Sequence, residues 1–394
     1  MASVETHRAA PASSFLNDPR TRGLIYQAIV FIALAALVYW IVGNTVDNLR
    51  RANIASGFGF LNSRSGFNIA QTLIDYNSDS TYARALIVGL LNTILVAVAG
   101  IVTASIVGLL VGIGRLSSNW LVRKICMVYV EVFRNIPPLL VIFFWYFGVI
   151  SVLPLPRNSI DLPFGAYANN RGFYMPRVIF ESGSWLIFAG LAVGLVISFF
   201  VARWARQRQM ATGEQFPVLL TSLALVIGMP VLGALVSGLP LSLEFPQLST
   251  FNMSGGWLVK PEFLSLYLAL SFYTASFIAE IVRAGILGIG RGQTEAANAL
   301  GLRPGPTMRL VVIPQALRII IPPLTSQYLN LTKNSSLAIA IGYPDLVAVG
   351  QTSMNQTGQA IEIVMIWMVV YLGLSLCTSL FMNWFNDRVA LVER

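Results

Sequence analysis

The chain alternates between long apolar runs and more polar segments, and the runs fall at residues 24–42, 85–114, 125–153, 185–202, 216–236, 263–282, 319–341 and 361–381. Six of them run to 18–23 residues, near the roughly 20 that a bilayer-spanning helix requires, and the second and third are longer at 30 and 29. The pattern predicts an all-α polytopic membrane protein of about eight spans. The first run is interrupted only by Gln27 and carries Tyr26, Tyr39 and Trp40 near its ends as interfacial anchors. It exceeds the roughly 7–15 residues of a signal-peptide core and no small-residue cleavage site follows, so it reads as a retained span. The second run is about 45 Å long as a helix and must tilt or protrude from a core of roughly 30 Å. Small residues recur along it at Gly100, Ala104, Gly108 and Gly112, and along the fourth run at Gly190, Gly194 and Ser198. That spacing keeps them on one helix face and lets another backbone approach, as ordinary bundle packing requires.

The seventh run is the least regular. Ile319, Ile320 and Ile321 lead into Pro322 and Pro323, and the polar residues Gln327, Asn330, Thr332, Lys333, Asn334, Ser335 and Ser336 follow. Hydropathy alone rates it poorly, and charge parity supplies the reason to keep it. With eight spans and the N-terminus inside, the inner segments hold 16 of the 26 lysines and arginines and the outer segments 8, with Arg134 and Lys333 left within spans. This two-to-one bias follows the positive-inside rule and places both termini in the cytoplasm. The outer segments, 43–84, 154–184 and 237–262, are long and rich in Pro, Asn, Ser and aromatic residues. They read as ordered caps or docking surfaces.

Composition supports this division. Of 394 residues, 56% are hydrophobic and 11% charged, against about 25% charged in soluble domains. The net charge of +9 comes without any Lys/Arg block longer than two, so it reads as membrane topology and not as a nucleic-acid footprint. The single histidine, His7, lies in a polar N-terminal tail, which leaves no histidine for a metal site, triad or proton shuttle in any span. Cys126 and Cys377 both fall in apolar stretches and support neither a disulfide framework nor a metal site. Lys124, Lys260 and Lys333 are followed by Ile, Pro and Asn, so there is no P-loop. Any ATP the protein depends on is hydrolysed elsewhere.

The most informative segment is the inner loop between the sixth and seventh spans. Residues 293–300 contain good helix formers, Gly301 suits the left-handed position after a helix, apolar Leu302 follows, and Pro304 and Pro306 prevent continuation. The expectation is a short exposed helix held at both ends by spans, with an Ala-rich surface slim enough to enter a cleft on another protein.

Here the chain resembles the permease subunits of ATP-binding-cassette importers. Their cytoplasmic EAA motif places Glu-Ala-Ala, Gly, two aliphatic residues and Pro at fixed spacing, matched by Glu295, Ala296, Ala297, Gly301, Val311, Ile313 and Pro314. Gly292 and Gln293 open the same segment. Flanking residues are similar to those of the polar amino-acid importers: Tyr129, Glu131, Arg134 and Pro137; then Ala275 (with Ala279 nearer), Glu280, Arg283 and Gly285; then Lys333, Ser335, Ser336 and Leu337. The match covers 85–154 and 262–385 and implies a five-helix type I importer core with three extra helices. The chain then divides into a tail, span and outer segment (1–84), a first core part (85–154), an insertion with two spans (155–258), and a second core part (259–394) with the coupling loop at about 284–318. The enlarged form resembles the general L-amino acid branch, whose substrates include acidic amino acids and their amides. The resemblance implies a bacterial inner-membrane subunit partnered by an ATPase dimer that holds the ATP and Mg2+, a second homologous permease, and a periplasmic amino-acid-binding protein. It implies no cofactor in this chain, membrane lipid around it, and no nucleic acid.

The charged and polar residues within spans can be weighed on their own chemistry. Glu131 with Arg134, and Glu280 with Arg283, are i,i+3 pairs that can meet on one helix face, which reduces the cost of charge at membrane depth. Each pair is open to a structural or a gating role. Lys333 has no acidic neighbour three or four residues away, so its partner is either a substrate path or a buried salt bridge with Glu131 or Glu280. The polar run containing Gln327, Asn330, Ser335 and Ser336 is hard to expose to lipid and should face a path. Asn92 and Gln327 suit interhelical hydrogen bonds as well. A secondary amino-acid transporter is the main alternative, although the 292–314 pattern has no second copy. A membrane-embedded enzyme lacks a visible catalytic constellation.

Overall fold

A computed structural model describes residues 19–51, 56–249 and 252–389. His7 and the C-terminal five residues lie outside the described residues. Twelve α-helices occur among them: α1 (Pro19–Arg51), α2 (Tyr82–Gly114), α3 (Trp120–Arg134), α4 (Pro138–Phe143), α5 (Trp185–Thr212), α6 (Val218–Val236), α7 (Pro261–Leu287), α8 (Arg291–Ala299), α9 (Pro304–Thr307), α10 (Ile313–Asn334), α11 (Leu346–Thr357) and α12 (Ala360–Val389). Seven helices among the described residues are long and apolar enough to cross a membrane, or eight when the bent pair α3 and α4 counts as one span. This matches the eight runs in number and order.

The third span departs from a straight helix. Its two pieces, Trp120–Arg134 and Pro138–Ile150, meet at 110°. Pro137 has φ −57° and ψ 139°, an extended conformation, and Pro138 then starts α4. Two consecutive prolines remove two donors, and each disfavours helical backbone in the residue before it, which accounts for a break at this point. Beyond α4, Phe144–Ile150 winds more widely, as a π-helix.

The chain forms two compact units, residues 1–91 with 346–374, and residues 92–345 with 375–394. In the first, buried Phe60, Tyr82, Ala85 and Leu86 pack with Leu346, Val349 and Ile363. Tyr82 donates to Gln356 Oε1 at 2.8 Å and the Trp367 indole N–H donates to Leu346 O at 3.1 Å. Helix α11 has no counterpart among the eight runs, because Gln351, Thr352, Asn355 and Gln356 dilute its apolar positions. Helix α1 has no buried residue among those whose side chains are described.

The second unit packs α2 from residue 92 onward against α7 and α10, around buried Val96, Ala104, Leu270, Ala275, Ile278, Ile320 and Leu331. The small-residue ladder does what its spacing predicts. A Cβ on Gly108 would come within 2.6 Å of Ile278 Cβ, and one on Gly112 within 2.7 Å of the Ala279 carbonyl. Gly194 lies equally close to Leu225 O, where α5 meets α6, and Ser198 Oγ reaches Ser222 O at 3.4 Å. Buried Asn92 donates to Pro344 O at 2.9 Å, tying α2 to the connection that precedes α11 and not to another helix.

The segments flanking the α5–α6 hairpin contain short strands that were not evident in the hydropathy pattern. They are β1 (Ile160–Leu162), β2 (Ala166–Asn169), β3 (Gly172–Met175), β4 (Arg177–Phe180), β5 (Leu241–Glu244), β6 (Gln247–Leu248), β7 (Met253–Ser254) and β8 (Trp257–Val259). β1, β2, β3 and β8 form one antiparallel sheet, and β4 pairs with β5 from Arg177 opposite Glu244 to Phe180 opposite Leu241. Strands β1–β4 and β5–β8 therefore form a β-structured cap at the same end of the hairpin. At two to four residues each, the strands are too short to give a clear alternating pattern.

Candidate coupling and pathway site

The loop between α7 and α10 is an ordered helical connection. Helix α8 ends as the sequence predicts: Gly301 has φ 75°, its N–H donates to Asn298 O at 2.9 Å, and the Leu302 N–H donates to Ala297 O at 3.1 Å. These two bonds form a Schellman motif, which satisfies terminal carbonyls at a left-handed position that glycine adopts without strain. Pro304 and Pro306 end α8 as expected, but they also begin the next helix: Pro304 is the first residue of α9. At that position the missing N–H costs nothing. Pro314, the last motif residue, leaves Leu310 O without an i+4 donor, and the helix widens into a π-turn over Met308–Val312 in which the Ile313 N–H donates to Met308 O. Val311, Ile313 and Pro314 thus lie on a helical extension that reaches Ile341.

Helix α8 is exposed except for Ala297. Glu295 and Ala296 face outward, and a Cβ on either Gly292 or Gly301 would meet nothing within 4 Å. Gln315 donates to Gln293 Oε1 at 3.2 Å, tying the start of α8 to the first turn of α10. At the other end, α7 is packed closely on α10, with a Cβ on Gly285 directly against Ile320. The geometry is that of a slim helix with an open outer face, attached through short connections to two long helices.

The Glu280 cluster holds the sequence-predicted pair and one residue that sequence reasoning missed. Arg283 Nη2 donates to Glu280 Oε1 at 2.6 Å. Arg115, one residue beyond α2, donates to Oε2 of the same carboxylate. Arg134 approaches Oε2 at 4.0 Å and lies over the Phe277 ring at 5.6 Å. One carboxylate therefore joins α2, α3 and α7 and faces three guanidinium groups. Arg115 reads in the sequence as topological charge, since its partner is 165 residues away. The Glu131–Arg134 pair does not form: both side chains are exposed, and Arg134 turns to Glu280 instead. The i,i+3 spacing permits a pair on one face, but the helix ends at Arg134, where the side chain is free to reach α7. Tyr129, two residues before Glu131, donates to Phe272 O at 2.5 Å and anchors α3 on α7.

The polar run of α10 is partly satisfied by the helix itself. Thr332 donates to Tyr328 O at 2.9 Å, Ser335 to Thr332 O at 2.7 Å and Ser336 to Lys333 O at 2.7 Å. Such bonds back to the preceding turn remove the need for a polar environment at those positions. Gln327, Asn330 and Lys333 have no such solution among the described residues. Stepping by three residues at 100° each, they fall within a sector of roughly 120°. Lys333 is exposed and forms no ion pair with Glu131 or Glu280, so the buried salt bridge entertained for it is absent.

Comparison with known proteins agrees with this architecture. Residues 216–391 match the family model described as a binding-protein-dependent transport system inner membrane component. The chain is 63% identical over 381 residues to the general L-amino acid transport system permease protein AapQ of Rhizobium johnstonii, covering 97% of this chain and 95% of that protein. It is 47% identical to the putative amino-acid ABC transporter permease protein YhdX of Escherichia coli, over 99% and 100% of the two chains. It is 42% identical to the glutamate/glutamine/aspartate/asparagine transport system permease protein BztB of Rhodobacter capsulatus, over 97% of each. With full-length relatives of this similarity and a fold of multiple membrane-length helices, the chain belongs to the amino-acid ABC transporter permease family and is a multi-pass transport subunit of the membrane.

Proposed function

We propose that this chain forms one half of a gated membrane path for L-amino acids, including acidic amino acids and their amides, and that a separate ATPase dimer drives it by pushing and pulling on α8. The observation that carries the reading is the attachment of α8: a Schellman end, the Gln315–Gln293 bond and short links to α7 and α10. A displacement of such an element moves both long helices as rigid bodies, which is the movement alternating access needs. The general L-amino acid and glutamate/glutamine/aspartate/asparagine names of the full-length relatives favour this substrate class.

In this reading both termini and the α8 loop lie in the cytoplasm of a bacterial inner membrane, as the 16-to-8 bias of lysine and arginine favours. The β-structured cap and residues 43–84 face the periplasm and receive an amino-acid-binding protein. A second, homologous permease supplies the other half of the path, and Lys333, with Gln327 and Asn330, lines the half contributed here and meets substrate carboxylates. The Glu280 cluster closes the inner end by holding α2, α3 and α7 together. ATP and Mg2+ belong to the partner ATPase.

The test is reconstitution. The complex purified in mild detergent should contain a nucleotide-hydrolysing subunit and a second permease, and its hydrolysis should rise when an amino-acid-loaded binding protein is added. Uptake by the isolated chain, or driven by a proton gradient without ATP, would overturn the reading.

A further inference from the structure

The α5–α6 hairpin carries a charged cleft that the transport reading does not use. At the end where the two helices join, a cleft of about 480 Å³ is lined by Phe199, Arg203, Arg206, Gln209, Phe216 and Val218, among others. Arg203 and Arg206 are three residues apart on α5 and therefore neighbours on one face. Both are exposed, and neither has an ion-pair partner among the described residues. The third arginine of this turn differs: Arg208 is paired with Glu214 at 2.6 Å and stacks on Trp204 at 5.4 Å. Glu214 is thus occupied, and among the described residues the cleft keeps two uncompensated guanidinium groups.

Its position identifies the occupant. α5 and α6 are both of membrane-crossing length and hydropathy, and Phe199, Phe200, Leu219 and Leu220 are exposed beside the cleft. The cleft lies where the apolar stretch of α5 gives way to Arg203, Arg206 and Arg208, and in a bilayer crossed by α5 and α6 that position falls at headgroup depth. Basic pockets between membrane helices suit anionic headgroups. We propose that this cleft binds the phosphate headgroup of an anionic phospholipid, with Arg203 and Arg206 on the phosphate and the acyl chains along the exposed apolar faces of α5 and α6.

The experiment uses the intact transporter complex, delipidated in mild detergent and titrated with phosphatidylglycerol, with bound lipid read by native mass spectrometry. Near a membrane surface each arginine contributes about fivefold in affinity, so Arg203→Ala/Arg206→Ala should weaken binding by roughly 25-fold. Arg203→Lys/Arg206→Lys should retain most of the binding, which separates loss of charge from misfolding. Equal retention by wild type and the double alanine variant would overturn the proposal. So would loss of binding in the lysine variant, equal binding of phosphatidylcholine, or displacement of the lipid by millimolar inorganic phosphate.

Discussion

Gln315 donates its side-chain amide to Gln293 across 3.2 Å, joining the first turn of α10 to the start of α8. The bond makes the short helix an extension of a long one. Arg115 and Glu280 stand in a similar relation at the end of α2, where the structural consequence of losing one partner can be measured.

Removing the Glu280 carboxylate leaves Arg115, Arg134 and Arg283 facing one another with no anion between them. Breaking a paired, partly buried charge in this way costs on the order of 3 kcal/mol. Glu280→Ala should lower the thermal midpoint of the detergent-solubilised complex by several degrees, with Arg134→Ala having a smaller effect because its contact is at 4.0 Å and it is 40% exposed. An unchanged midpoint for Glu280→Ala would exclude the cluster as a structural clasp.

The approach of α2 to α7 should tolerate no added bulk. Gly108→Leu and Gly112→Leu place side chains where Ile278 and the Ala279 carbonyl already lie, so both should reduce folded protein recovered from membranes. Gly228→Ala on α6 is the matched control, because a Cβ there meets nothing within 4 Å. Equal recovery of all three variants would contradict the packing described.

Lys333 makes no ion pair among the described residues, so its removal should not affect stability. Lys333→Met should leave the thermal midpoint within a degree of wild type while raising the substrate concentration needed for half-maximal uptake several-fold. If stability falls and transport parameters hold, the side chain has a structural partner and not a path.

Gly301 separates two effects. Its φ of 75° means that Gly301→Val strains the backbone by roughly 1–2 kcal/mol wherever the side chain points. Limited proteolysis should cut the 300–304 segment faster in that variant than in Gly301→Asn, whose side chain tolerates the left-handed conformation. Equal cleavage of the two would show that the Schellman end does not hold α8.

The helical plan was legible in the sequence because spans are long and apolar, and the end of α8 was legible because Gly301-Leu302 follows a run of helix formers. The EAA spacing and the position of the α3–α4 break were readable for similar local reasons: Glu295 to Pro314 is one continuous stretch, and two prolines adjoin at 137 and 138. The pairing of Arg115 with Glu280 was not, since it depends on how α2 packs on α7. Nor was the turn of Arg134 away from Glu131, which the 110° bend makes possible. The strands on either side of the α5–α6 hairpin pair across about 60 residues and are too short to leave a periodic trace. Ser335 and Ser336 lie just beyond α10, and each donates to the carbonyl three residues back, a local bond that residue type alone does not reveal.

Coupling through α8 is the central claim, and Ala296 gives the cleanest access to it because it is exposed, helical and free of backbone strain. The direct measurement compares ATP-driven amino-acid uptake in proteoliposomes containing wild-type complex or Ala296→Trp, with assembly of the ATPase and permease subunits checked in the same samples. The account predicts an assembled Ala296→Trp complex with uptake reduced at least tenfold and hydrolysis no longer responsive to loaded binding protein. Wild-type uptake by that complex would contradict it.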